Sequence, residues 1–141
     1  MASFKNGLLG SLFSKPKSYA VGTGTVDLSI IPSLATVSVG DTFAVGISAD
    51  AKTEQLSGVE VALSYDPQYL QATSVKGGSF LPLVLMPGSV ASAGLASITT
   101  GASVGNYPSG QGVVASVIFK ALKNTTTATR LKLDNSLAIQ D

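Results

Sequence analysis

The chain has 141 residues, enough for one domain and too few for two of ordinary size, and it contains no Cys, His or Trp. Without Cys or His there is no disulfide, no thiolate zinc site, no cysteine nucleophile and no imidazole base. Charged residues are 12% of the chain and the net charge is +1, which leaves no basic footprint for nucleic acid.

The first 20 residues hold Lys5, Lys15 and Lys17 and no acid, so they carry +3, while residues 21–141 carry −2. Within this arm Phe4, Leu8, Leu9, Leu12 and Phe13 recur at helical spacing. Gly7 and Gly10 weaken an isolated helix by about 1 kcal/mol each, and Pro16 stops it. A helix of a dozen residues is marginal alone. The arm is therefore expected to dock its apolar side onto a neighbouring subunit, with a frayed terminus or a membrane-surface helix as the other readings. Lys15 and Lys17 follow the short apolar run where a cleavage region is uncharged, so no signal peptide is read here. The predicted organisation is a basic apolar arm over residues 1–21 and a domain over 22–141.

From Thr25 onward the pattern is strand after strand. Val26, Leu28 and Ile30 alternate with Asp27 and Ser29 before Pro32. Phe43, Val45 and Ile47 alternate with Thr42, Ala44, Gly46 and Ser48, and Val59, Val61, Leu63 and Tyr65 alternate with Glu60, Ala62 and Ser64. Asp66-Pro67 reads as a turn opener. Leu70, Thr73 and Val75 precede Gly77-Gly78. The run Phe80-Leu-Pro-Leu-Val-Leu-Met86 is broken by Pro82 and closed by Pro87-Gly88, and no stretch is long enough to span a bilayer as a helix. Further strands are expected at residues 89–93, 96–100 and 112–120, the last with Val113, Ala115, Val117 and Phe119 on one face. Leu131 with Leu133, and Leu137 with Ile139, suggest two short final strands. The whole predicts an all-β antiparallel sandwich.

Chemistry-bearing clusters are scarce. Glu60 and Asp66 lie six positions apart on one expected strand, about 20 Å when extended, too far for the paired carboxylates of sugar hydrolysis. Asp41 and Asp66 read as acids capping their own turns, with a loop calcium as the open alternative and no other cofactor or metal implied. Sugar stacking needs exposed planar rings, and only Tyr19, Tyr65, Tyr69 and Tyr107 offer them. Asn124-Thr-Thr126 matches a glycosylation acceptor, a pattern too frequent by chance to carry weight alone. These features point away from an enzyme.

Val37-Ser-Val-Gly-Asp-Thr-Phe43, Leu56-Ser-Gly-Val-Glu-Val-Ala-Leu-Ser-Tyr-Asp-Pro67 with Leu70, Ser74-Val-Lys-Gly-Gly-Ser-Phe80 and Val114-Ala-Ser-Val-Ile-Phe-Lys-Ala121 together resemble the cohesin domain. The likeness covers roughly residues 24–141 in family order. It implies a jelly-roll sandwich of about nine strands whose relatives bind dockerin modules through one sheet face. On alternation, the corresponding outward face here carries Ala44, Gly46, Ser48, Ala62, Ser64 and Ser116, nearly all small. Two readings follow. The first is a structural subunit of an extracellular or virion-type assembly, a decoration or filament protein or other homo-oligomer, docking through the arm and this flat face. The alternative is a cohesin-type binding module for a dockerin-like protein or a polysaccharide.

Overall fold

Apolar residues at every second position give strands that each bury one face, and two layers of them close around a common core. The computed structural model describes residues 2–5, 8–10, 17–21, 24–32, 35–124, 129–133 and 137–140. The strands are β1 (Ala2–Lys5), β2 (Leu8–Gly10), β3 (Lys17–Val21), β4 (Gly24–Ile31), β5 (Ala35–Thr36), β6 (Thr42–Asp50) and β7 (Leu56–Ser64). They continue with β8 (Leu70–Gly77), β9 (Leu83–Ser89), β10 (Leu95–Gly101), β11 (Gln111–Ala121), β12 (Thr129–Leu133) and β13 (Leu137–Gln140).

One sheet has the order β5-β2-β1-β12-β7-β10-β9, with β13 also paired to β7, and the other has the order β3-β4-β6-β11-β8. All pairs are antiparallel. Strands β12 and β13 follow one another along the same edge of β7, opposite Ser64–Leu63 and then Glu60–Leu56. Leaving aside the two-residue β5, nine strands lie between Gly24 and Gln140, as the sandwich reading expects.

Leu28, Val45, Ile47, Val59, Leu63, Val117, Phe119 and Leu131 are fully enclosed between the sheets. Each such side chain contributes about 1.5–3 kcal/mol through removal from water. Phe119 is the hub: its ring stacks on Phe43 at 5.8 Å and meets Tyr65 in a T-shaped contact at 5.1 Å.

Three expectations are corrected. The arm's helical spacing does not yield a helix: β1 pairs with β12 and β2, β2 pairs with β5, and β3 pairs with β4. Sheet edges offer ladder partners that an isolated Gly-interrupted helix lacks. Strand β3 lies beside β4 with Lys17 opposite Leu28 and Val21 opposite Gly24. The strand expected at 89–93 is instead β9, because Pro82 and Pro87 punctuate an edge strand rather than exclude one. Lastly, Val113 is half-buried while Val114 and Ala115 are both enclosed, since a bulge between Val113 and Ala115 shifts the alternation by one.

Candidate functional site

The six small residues expected to form one flat face belong to opposite layers. Ala44, Gly46 and Ser48 lie on β6 and Ser116 on β11 of the five-stranded sheet, whereas Ala62 and Ser64 lie on β7 of the other. Ser48 is buried, its hydroxyl accepting from Gln111 Nε2 at 3.4 Å. Alternation fixes which side of its own strand a residue takes, but not which layer that strand joins.

Of the arm residues, Phe4 stands opposite Thr129 and Leu9, and Leu8 and Leu9 stand opposite Thr36 and Ala35. Leu12 and Phe13 lie outside the described residues. The described stretches of the arm are thereby taken up as strands of the chain's own two sheets.

The outward side of β12, β7, β10 and β9 forms the more developed surface. Register aligns three rows across it. Lys132, Ser64 and Leu95 form the first, Ala62, Ser97 and Ser89 the second, and Glu60, Thr99 and Met86 the third. The small side chains of the middle row, with Glu60, Thr99, Met86 and Pro87, line a shallow hollow of about 520 Å³. Ser64 Oγ donates to Lys132 O at 3.3 Å and ties β12 to β7 at its rim. The first and third rows are about 13 Å apart along the strands, so Lys132 and Glu60 set opposite charges at opposite ends of the patch.

Strand β9 makes the apolar side of this surface. Leu83, Val84, Leu85 and Met86 are 44–61% exposed, four consecutive large hydrophobic residues on a sheet edge. Leu85 leans over Gly101, where a Cβ would come within 2.6 Å of its Cδ1. The absence of a side chain at Gly101 lets β9 lie close against β10. The sequence reading missed Glu60, Leu95, Ser97, Thr99, Met86 and Lys132. Glu60, Ser97, Thr99 and Lys132 sit at outward positions of strands the reading did find, Leu95 stands one residue before the strand expected at 96–100, and Met86 lies on the strand that the prolines disguised.

The expected turn acids behave as turn acids. Asp41 Oδ2 accepts from Ser38 N, and Asp66 Oδ1 accepts from Gln68 N, both at 2.9 Å. Among the described residues no three acidic side chains converge on a point that could hold a metal ion. Tyr65 is taken up by the core, its hydroxyl accepting from Ala72 N at 3.3 Å, and Tyr69 and Tyr107 are half-buried in loops. Tyr19 lies on β3 opposite Val26.

A family model described as "Cohesin domain" matches residues 29–141. Among solved structures, the sixth cohesin of Acetivibrio cellulolyticus scaffoldin B, in complex with a Cel5 dockerin mutant, is 15% identical with a TM-score of 0.60 over 71% of this chain and 77% of that one. A type I cohesin–dockerin complex from Clostridium thermocellum gives 13% identity and a TM-score of 0.60 over 72% and 74%. A type II cohesin–X–dockerin complex from Acetivibrio cellulolyticus gives 22% identity and a TM-score of 0.58 over 84% and 78%. At these identities the likeness establishes the sandwich fold. A comparison with curated proteins gave no match.

Proposed function

The chain belongs to the cohesin domain family, and on that premise we propose that it is a non-catalytic binding module that takes a dockerin-like protein on the outward face of β12, β7, β10 and β9. The observation that carries this reading is the three-row surface itself. Its middle row is small and hollowed, one border is apolar, and its two ends are oppositely charged. A row of small side chains lets a helix about 10 Å across approach the sheet closely. Met86 and Leu95 supply apolar contact at the flank, and Lys132 and Glu60 orient the incoming partner more than they add affinity. The binding-module alternative therefore fits better than docking of the arm into a particle. Family membership likewise supports an extracellular setting, as the cohesins of scaffoldins have.

Isothermal titration of the full chain with the dockerins of the three complexes above tests the reading. Saturable binding by at least one of them is expected. Ala62→Arg should weaken it tenfold or more, while Ala44→Arg on the opposite sheet leaves it unchanged. The reading fails if no dockerin binds, or if the Ala44 variant and not the Ala62 variant loses binding.

A further inference from the structure

On the dockerin-like reading above, on which this rests, we propose that the partner grips the acidic end of the face with one long basic side chain. Its charged head sits on Glu60 and its aliphatic stem on Met86 and Leu85. Glu60 is exposed on β7 and is the only acid in the three rows. Among the described residues it makes no ion pair, and the salt bridge they do form, Lys52 to Asp27, is made to β4 of the five-stranded sheet. Lys132 stands two rows away, about 13 Å along the strands. A carboxylate so placed calls for a cation from the partner.

What stands beside Glu60 selects the kind of cation. Thr99 is its direct partner on β10, and Met86 is the partner of Thr99 on β9. Glu60 and Met86 are therefore two strands apart, about 10 Å, with only a short hydroxyl side chain between them. Met86 is 61% exposed and Leu85 53%, and Leu85 lies over Gly101, two positions beyond Thr99 on β10. Together they make an aliphatic shelf that faces the carboxylate across Thr99. Lysine and arginine bury their methylene stems on apolar surface while the head stays with polar groups, so one such side chain entering over β9 covers the shelf and reaches Glu60. A short polar side chain on Glu60 would leave the shelf wet. An apolar one on the shelf would leave the carboxylate desolvated without a partner.

The test is isothermal titration of the full chain with whichever dockerin of the three complexes binds it most tightly. Glu60→Gln should weaken binding about threefold and Met86→Ala about fivefold, because contacts this far apart act independently unless they share a partner. The double variant then decides between the two cases. With one side chain bridging both contacts, it should lose about fivefold, no more than Met86→Ala alone, whereas independent contacts give about fifteenfold. In about 1 M salt, where the Debye length is about 3 Å, the Glu60 loss should shrink and the Met86 loss persist. A fifteenfold double loss, a Glu60 loss indifferent to salt, or single variants that bind like the parent overturn the proposal and leave dockerin binding standing. No binding by any dockerin overturns both. Thermal unfolding of each variant establishes that the protein measured is folded.

Discussion

Phe80 lies across Gly112 so closely that any side-chain carbon at position 112 would overlap the ring. Phe80 N also donates to Val113 O at 3.2 Å, so the backbone holds the ring where it is. Gly112→Ala must push the ring or β11 aside, an overpacking that costs about 1–3 kcal/mol. For a domain of this length that is a fall in Tm of about 3–10 °C, read by thermal denaturation. Combining Gly112→Ala with Phe80→Leu should recover part of the loss. Strictly additive effects would show that the two positions are not in contact.

The aromatic hub separates packing from hydrogen bonding. Phe119 is completely buried between Phe43 and Tyr65, so Phe119→Ala opens a cavity and should cost about 3–5 kcal/mol in denaturant unfolding. Tyr65→Phe keeps the ring contact and removes only the acceptor for Ala72 N. Its cost should be about 1 kcal/mol. Equal losses in the two variants would contradict the T-shaped packing of Tyr65 against Phe119.

Lys52 combines a strained backbone with an ion pair. Its φ is 57°, its Nζ lies 3.2 Å from Asp27 Oδ2, and its N donates to Asp50 Oδ1 at 2.9 Å. Asp27 and Asp50 are direct cross-strand partners, so the lysine sits beside two carboxylates that would otherwise repel. With the Lys52 side chain 52% exposed, the pair contributes below about 1 kcal/mol, whereas the left-handed backbone costs a residue with a Cβ about 1–2 kcal/mol. Lys52→Ala should therefore be less stable than Lys52→Gly, although both lose the ammonium. Added salt should narrow the gap between the parent and either variant. The reverse order of Ala and Gly would contradict the positive φ.

How much of this was legible in the sequence depends on which interaction decides each element. Val45, Ile47, Val59, Val61 and Leu63 alternate cleanly, and the structure buries all five because period-two alternation is the condition for a one-sided sheet. The run around Leu83–Ser89 has no alternation to read. All seven residues are exposed, and its strand state is set by pairing with β10 rather than by burial. The helical spacing of Phe4, Leu8 and Leu9 is local, whereas their strand state joins a local β1–β2 pair to partners more than 25 residues away at Thr129, Thr36 and Ala35. The proposed face assembles β7, β10, β9 and β12, and only sheet order says that Ala62 and Ser97 share it with Met86 while Ala44 does not.

Sheet order also decides what removal of the arm should do. Strand β12 has two edges: Lys132 and Leu133 pair with Ser64 and Leu63 of β7, while Thr129, Arg130 and Leu131 pair with Phe4, Ser3 and Ala2 of β1. Deleting residues 2–10 takes away the ladder partner of residues 129–131 and leaves the β7–β10 and β6–β11 ladders intact. Hydrogen exchange should then quicken at least tenfold at residues 129–131, with Val61 and Val117 as protected as before. Because β1, β2 and β3 pair with strands of their own chain, light scattering should give the same monomer mass with and without the deletion, and dockerin binding at the Ala62 face should persist. A mass that drops from an oligomer to a monomer on deletion would instead return the arm to the role of a contact between subunits. Unchanged exchange at residues 129–131 would remove β1 from the edge of β12.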